Sequence, residues 1–189
     1  TLYGMLARLG VDFIDMGVVR DDPIALEQAL RSAAENADAI ITSGGVSVGE
    51  ADFIRALLSR LGEVVFWKIA MRPGRPMAFG RIGNASFFGL PGNPVAVMVT
   101  FYGFVREALA KLAGRTDTIT LPCLQARSEN ALRKKPGRTE FQRGVLFEAP
   151  DGTWRVRLTG QQGSGVLRSM SEANCFIVLE HERGDVAAV

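Results

Sequence analysis

Apolar and polar positions follow two patterns in the first two-thirds of the chain. Short apolar runs bounded by turn residues predict strands at residues 11–19, 37–42, 63–70, 77–81 and 86–90. Apolar residues at helical spacing predict helices at residues 1–9, from residue 23 onward, at 51–61 and at 94–113. This alternation predicts an α/β fold in three layers, with helices on both faces of a mostly parallel sheet.

Local signals mark the ends of several predicted elements. Asp22 is placed to cap the helix that starts at Pro23, and Asn93 is placed to cap the one that starts at Pro94. Gly83 and Asn84 predict a hairpin turn between two of the strands.

The pattern changes after Gly114, where helical spacing ends. Strand character is predicted at residues 118–126, 141–148, 154–158, 166–169 and 175–179, with glycine-rich turns between them. We therefore expect an α/β domain at residues 1–115 and a small all-β domain at residues 118–189.

Composition narrows the class of protein. Apolar residues make up 47% of the chain and its net charge is +2, which is typical of a globular protein and indicates no nucleic-acid or membrane partner. Cys123 and Cys175 match no metal or redox spacing. These features predict a cytoplasmic protein. Because the chain opens with a helix and no preceding strand, we also expect a fragment of a longer protein that lacks the first strand of its α/β domain.

A glycine-rich loop at residues 43–52 follows a predicted buried strand and precedes a helix. Gly44, Gly45 and Gly49 allow backbone N–H groups to approach an anion closely, and the following helix N-terminus favours phosphate. Ser47 lies in the same loop. The segment matches neither the Rossmann nor the P-loop pattern, so an ordinary tight turn is the alternative.

Two acidic side chains at strand ends are candidate metal ligands. Asp52 lies at the start of the helix after the glycine-rich loop, and Asp21 follows another predicted strand. Their carboxylates could hold one divalent cation, whereas Asp22 is explained by its capping role. For Asp52, a favourable interaction with the helix dipole is the alternative.

Three cationic side chains flank a rigid turn. Lys68 lies in an apolar strand, and Arg72 and Arg75 surround Pro73-Gly74. Such cations suit an oxyanion or a phosphate chain. The alternatives are an edge-strand charge for Lys68 and a solvated basic turn for the two arginines.

Two further segments are candidates for substrate binding. Pro91-Gly92-Asn93-Pro94 forms a strand–turn–helix junction with an exposed helix N-terminus, which capping alone could explain. The polar loop around Ser164 in the predicted β domain is either a turn or a substrate-facing lid. His181 has no neighbouring nucleophile, so a hydrolase is poorly supported.

Several motifs in register resemble one family. They are Ser43-Gly44-Gly45-Val46-Ser47-Val48-Gly49-Glu50-Ala51-Asp52, Phe66-Trp67-Lys68, Arg72-Pro73-Gly74-Arg75-Pro76, Gly89-Leu90-Pro91-Gly92-Asn93-Pro94, Pro136-Gly137-Arg138 and Phe141-Gln142-Arg143-Gly144. Together they resemble the molybdopterin molybdenumtransferases, of the MoeA and gephyrin E-domain type, over essentially the whole chain.

The resemblance implies an activity and its requirements. The family inserts molybdenum from molybdate into adenylated molybdopterin, releases AMP and requires Mg²⁺. Its members are homodimers whose active site forms where domains of both subunits meet. The first domain would then be a molybdopterin-binding domain similar to that of MogA.

The resemblance also implies roles for individual residues. Asp52 and Asp21 match functional acids, Lys68 matches a strand lysine, and Arg72 falls where many members have a second lysine. In the second domain, Ser164 matches a serine thought to face the site. Pro91 and Pro94 match structural prolines.

Departures from the family pattern are present as well. Arg72 and Arg75 replace lysines common in that turn, which keeps the charge but changes its geometry. The family has two further domains and a Thr-Gly-Asp-Glu-Leu strand before this region, and its final strand continues further.

Two other functions are the alternatives. A molybdopterin adenylyltransferase shares the α/β domain, but it lacks the β domain, and its loop usually continues Gly-Thr-Gly rather than Gly-Val-Ser. A scaffold or binding module of the gephyrin type is the alternative from another class, and no receptor-binding groove is evident in the sequence.

Overall fold

The first region of the chain builds a four-stranded sheet with helices around it. The structure, a computed structural model, describes residues 1–45, 51–117 and 121–189, with all of their side chains except those of Ala51 and Asp52. The elements here are α1 (Leu2–Leu9), α2 (Pro23–Asn36), β1 (Ala39–Ser43), α3 (Ala51–Leu61), β2 (Gly62–Lys68), β3 (Met71–Arg72), β4 (Pro76–Ile82) and β5 (Ala85–Leu90). A long helix follows, comprising α4 (Pro94–Thr100), a π-helical segment (Phe101–Val105) and α5 (Arg106–Leu112).

The first sheet is mixed rather than mostly parallel, which corrects the prediction. Its strand order is β1-β5-β4-β2, and among these described strands only β1 and β5 pair in parallel. The hairpin predicted at Gly83 and Asn84 is confirmed. A two-residue turn of this kind can only join antiparallel strands. The same is true of the short return from β2 to β4.

Helices pack on both faces of this sheet. Helices α2 and α3 cover one face, where Leu30, Leu57 and Leu58 are buried against strand residues such as Phe87. Helix α1 and the long helix cover the other face, where Met5, Phe101 and Val105 surround Phe88 and Leu90. The layered α/β arrangement therefore follows from apolar positions facing both ways from the sheet.

The strand predicted at residues 11–19 is wrong in this structure. These residues form no strand, and Ile14, Met16 and Val18 are exposed. Asp15 accepts a hydrogen bond from the Gly17 N–H (2.9 Å), and Gly17 has a left-handed φ of 68°. This local turn breaks the extended backbone that the apolar alternation predicted.

The second region forms a five-stranded sheet around one long strand. Its elements are β6 (Arg127–Ser128), β7 (Thr139–Glu148), β8 (Trp154–Leu158), α6 (Arg168–Ser171) and β9 (Cys175–Leu179). Strand β7 pairs with β3, β8 and β9, and β8 pairs with β6.

Two strand predictions in this region are wrong. Residues 121–126 form no strand, and the segment predicted at 166–169 leads into helix α6. The N–H groups of Val166 and Leu167 donate to the nearby carbonyls of Gly163 and Gly165, and Ser169 Oγ donates to the Val166 carbonyl. Because these groups are satisfied locally, they form no strand ladder.

The two regions are in contact through β3 and the long helix. Strand β3 belongs to the first region by position, yet it pairs in parallel with β7. Met71, Val95 and Val99 are buried together, with Phe141 and Phe176 packed against them. This contact sets the second sheet against α4. None of the helices in the described ranges has the length and apolar character that a membrane crossing requires.

Candidate functional site

The start of the glycine-rich loop lies beside the turn at residues 91–94, the proline turn, at one end of the first sheet. Strands β1 and β5 are parallel neighbours with Ser43 opposite Leu90, so both chains leave the sheet at the same point. The Gly44 N–H donates to the Leu90 carbonyl (3.0 Å). A Cβ on Gly92 would lie 3.7 Å from Gly44 Cα. The register of one strand pair thus brings two predicted binding segments together.

Gly44 and Gly45 both adopt conformations that favour glycine. Their φ values are 92° and 71°, and a Cβ on Gly45 would lie only 2.9 Å from Ile54 Cδ1 on α3. At Gly45, the start of the loop therefore lies close to the helix that follows it. The other predicted loop residues, Ser47 and Gly49, and the side chain of Asp52 lie outside the described residues.

The proline turn is in contact with the loop of the second region that carries Ser164. Pro91 is buried, whereas Gly92 and Asn93 are exposed. Asn93 is the N-cap of α4, as predicted, but its side chain makes no capping hydrogen bond. Instead, the Val95 N–H in the first turn donates to the backbone carbonyl of Ser164 (3.2 Å). Ser164 therefore lies directly at this helix N-terminus.

Lys68 reaches the same end of the first sheet. It is the last residue of β2 and pairs with Pro76, the first residue of β4, while β4 runs antiparallel to β5. Strand β2 is an edge strand, and Lys68 is exposed there. At a neighbour spacing of about 4.8 Å, the outer strands β1 and β2 are about 14 Å apart. Lys68 thus stands at the far side of the sheet end from Gly44.

Arg72 and Arg75 both lie in the connection between β2 and β4. Arg75 is exposed, and its carbonyl accepts a hydrogen bond from the Ile69 N–H (2.8 Å), which closes the turn. Arg72 pairs with Glu140 in the β3–β7 register, with 3.9 Å between the guanidinium and the carboxylate. Gly74, at a φ of 103°, packs against Thr100 of α4. Arg72 therefore faces the second sheet.

Glu140 was not among the predicted site residues. Its side chain is 5% exposed and accepts a hydrogen bond from Arg138 Nε (2.8 Å). Arg72 lies 3.9 Å from the same carboxylate oxygen, so Glu140 pairs with two arginines from different parts of the chain. Only the pairing of β3 with β7 places them together, so sequence spacing gave no signal.

The predicted metal ligands are not brought together by the described residues. Asp21 is exposed and makes no hydrogen bond or ion pair with any described residue, whereas Asp22 caps α2 by accepting from the Ala25 N–H (2.8 Å). Within the described ranges, no group of three or more His, Cys, Asp or Glu side chains could hold a metal ion. A site built from Asp21 and Asp52 stays a prediction.

Arg143 on β7 is a second residue that sequence reasoning did not place in the site. Its side chain is almost fully buried, at 1% exposure, beneath the Ser164 loop. Burial lowers the pKa of this guanidinium, and the positive charge of Arg72 lowers it further. The signal in the sequence was an arginine within an otherwise typical strand, at Phe141-Gln142-Arg143-Gly144.

With this geometry established, the chain can be compared with known proteins. Residues 1–111 match the model of a family described as "Probable molybdopterin binding domain". The chain belongs to this family. Residues 125–188 match a second model, "MoeA C-terminal region (domain IV)". These matches confirm the resemblance inferred from the motifs.

Curated relatives of this family member are longer than the chain itself. The "Molybdopterin molybdenumtransferase" of Haemophilus influenzae is 47% identical over 188 residues, an alignment that covers 100% of this chain and 46% of the relative. A "Gephyrin" from Dictyostelium discoideum is 32% identical, with 89% of this chain and 27% of the relative covered. The chain thus spans about half or less of the length of these relatives.

Solved structures share the fold of this family member. A molybdopterin biosynthesis protein from Pyrococcus horikosii superposes with a TM-score of 0.78 at 27% identity, covering 98% of this chain and 44% of that one. A molybdenum cofactor biosynthesis protein from Pyrococcus furiosus gives a TM-score of 0.74 at 28% identity, covering 99% and 59%.

Proposed function

We propose that this chain acts in molybdenum cofactor biosynthesis, inserting molybdate-derived molybdenum into adenylated molybdopterin with release of AMP. The observation that carries the proposal is the meeting of three loops at one sheet end. The start of the glycine-rich loop at Ser43 and Gly44, the proline turn and the Ser164 loop converge there, in a chain that matches both family models.

The groups at this sheet end suit the proposed substrates. Adenylated molybdopterin carries phosphate groups, and molybdate is an oxyanion. Backbone N–H groups of the glycine-rich loop, at Gly45, Ser47 and Gly49, are proposed to bind the phosphates. Gly44, whose N–H donates to the Leu90 carbonyl, would hold the start of the loop at this substrate site. Gly92 and Asn93, held between Pro91 and Pro94, would line the same site with Ser164.

Cations at the turn between β2 and β4 are proposed to stabilise negative charge. Lys68 and Arg75 are exposed and free to reach an anion. The Arg72 guanidinium lies 3.9 Å from the Glu140 carboxylate, so its positive charge is partly balanced within the protein. Lys68 and Arg72 are proposed to act on molybdate or the leaving AMP, and Arg75 to assist in binding.

Mg²⁺ is proposed to bind through Asp52 and Asp21. Carboxylate oxygens are the ligands that Mg²⁺ prefers, and the ion would bridge to phosphate oxygens of the substrate. Asp21 offers an exposed carboxylate without a competing partner among the described residues.

The organisation of the protein is also part of the proposal. We propose an α/β domain at residues 1–115 and a β domain at 118–189, a division supported by family matches that end at 111 and begin at 125. We further propose a cytoplasmic homodimer. Val65, Trp67 and Phe79 share one exposed face of β2 and β4, which supports coverage by a partner.

The reaction is tested by measuring AMP release from adenylated molybdopterin and molybdate, using the protein at its natural length. Asp52→Ala is expected to lower the rate at least about tenfold, since it removes a metal-side carboxylate. Lys111→Ala, on the exposed side of α5, is the control and should leave the rate unchanged. Near-normal turnover by Asp52→Ala would contradict the assigned role of this acid.

A further inference from the structure

Arg143 is the most completely buried charged side chain among the described residues, at 1% exposure. Its guanidinium donates in three directions. Nε donates to Ser169 Oγ (3.0 Å), and one terminal nitrogen donates to the carbonyls of Gly163 (3.1 Å) and Gln161 (3.4 Å). Two of these acceptors are backbone groups of the loop that carries Ser164.

The backbone of Arg143 holds the same loop from the other side. The Gln162 side-chain oxygen accepts from the Arg143 N–H (2.7 Å), and its side-chain nitrogen donates to the Arg143 carbonyl (3.1 Å). The Thr159 N–H also donates to this carbonyl (3.2 Å), and the Thr159 hydroxyl lies within reach of the carbonyls of Ser169 (3.0 Å) and Arg143 (3.2 Å). One strand residue therefore binds both ends and the middle of the loop at residues 159–163.

No carboxylate balances this buried charge within the described part of the chain. A desolvated cation without an opposite charge is costly, and only well-placed acceptors offset the cost. An apolar side chain would fill this position at lower cost. Arginine supplies several donors in a fixed planar fork and keeps its charge when buried. The chemistry at this position thus matches the task of holding several loop carbonyls at once.

The loop held in this way ends on helix α4. Ser164 follows Gly163 directly, and its carbonyl accepts from the Val95 N–H at the proline turn (3.2 Å). We propose that Arg143 is a positioning residue, whose buried fork fixes the loop at residues 161–165 so that Ser164 is held at the end of the first sheet. The inference rests on the proposed function only where activity is measured.

Amide hydrogen exchange of the unliganded protein tests the positioning directly. Arg143→Met is expected to speed exchange of the Val95 and Val166 amides roughly tenfold or more, because hydrogen bonds from a charged donor to the loop are lost. Arg143→Lys keeps the charge but not the fork, so we expect it to restore little of the protection. Amides in the β7–β9 ladder, such as those of residues 141 and 142, should change much less.

Two further variants keep the test decisive if Arg143→Met folds poorly. Ser169→Ala removes one acceptor and leaves Arg143 in place, so it should speed Val95 exchange by a smaller factor. Arg168→Met is the matched control, since Arg168 is exposed on the same helix and its one ion pair among the described residues is with Glu172. It should leave Val95 protection unchanged.

Three results would overturn the inference. They are an unchanged Val95 amide in Arg143→Met, full protection in Arg143→Lys, and an equal rise at the β7–β9 amides, which would indicate general destabilisation. In the AMP-release assay, loosening the loop should raise KM for adenylated molybdopterin more than it lowers kcat. If the wild-type protein shows no AMP release, the proposed function fails while the exchange result still decides the role of Arg143.

Discussion

Two buried cations in the second region, Lys134 and Arg143, donate mainly to backbone carbonyls. The Lys134 ammonium, in a residue that is 5% exposed, donates to the carbonyls of His181 (3.0 Å) and Arg183 (2.6 Å). Arg143 does the same for the loop before Ser164. Each cation therefore connects the segment that carries it to a distant segment of the chain. Their burial reflects the binding of chain segments rather than the pairing of charges.

The carboxyl of Asp151 has a lowered pKa because of its hydrogen bonds. Hydrogen bonds from the Thr153 hydroxyl and N–H, and from Arg155, lower the pKa of Asp151 to about 2. In the unfolded chain this pKa is about 3.9, so the unfolded state binds the proton more readily. The stabilisation from this carboxylate is fully present above about pH 4 and is lost as the pH falls toward 2.

An NMR titration of the Asp151 carboxyl carbon measures this pKa. Thr153→Val is expected to raise it toward its ordinary value, because the strongest donor is removed. Thr153→Ser keeps the hydroxyl and should keep the low value. A midpoint that does not move in Thr153→Val would contradict the assigned cause.

At the scale of elements, helix α2 depends on a short stretch of sequence at its start. Asp22 accepts a hydrogen bond from the Ala25 N–H and Pro23 occupies the first turn, so the helix begins where the sequence predicts. Its apolar side chains then pack against the sheet beside α3.

Removing the α2 cap should therefore destabilise the protein. Asp22→Ala is expected to lower the free energy of unfolding by about 1 kcal/mol, because an N–H of the first turn loses its acceptor. Urea denaturation measures the change. Asp21→Ala is the control, since the neighbouring carboxylate makes no hydrogen bond with the described residues. Equal losses in the two variants would show that capping is not the cause.

At the scale of the whole molecule, the two sheets are joined by β3 and by the apolar contact on α4. Met71 is 5% exposed and packs with Val95 and Val99, and the Thr139 N–H donates to the Ala70 carbonyl (2.9 Å). The Ser164 loop reaches the first sheet across the same contact. The relative position of the sheets thus decides whether the candidate site is assembled.

Weakening the contact between the two sheets should speed amide exchange selectively at Thr139. Met71→Ala is expected to cost about 2–5 kcal/mol of stability and to speed exchange of the Thr139 amide beyond the global effect. Leu30→Ala truncates a buried side chain on the far face of the first sheet and serves as the control. It should cost a similar amount without a selective effect at Thr139. Equal exchange in both variants would contradict the role of Met71 in joining the sheets.

Most elements could be predicted from local patterns. The helix at Ala51–Leu61 and the strand at Trp154–Leu158 match their predicted bounds, and the hairpin turn and the start of α2 are also correct. Caps, turn residues and apolar spacing act over a few residues, so they are visible in the sequence. The errors at residues 11–19 and 166–169 arose where polar side chains and glycines made turns within apolar stretches.

Most elements, the family and the segments that carry candidate chemistry could be inferred from local sequence patterns. Which of those segments meet depends on how the chain packs in three dimensions. Gly44 reaches Gly92 through the β1–β5 register, and Ser164 reaches Val95 across the contact between the sheets. Arg143 and Glu140 are buried, and their partners Gly163 and Arg72 come from distant parts of the chain. Such contacts depend on strand register and packing, which no local pattern encodes.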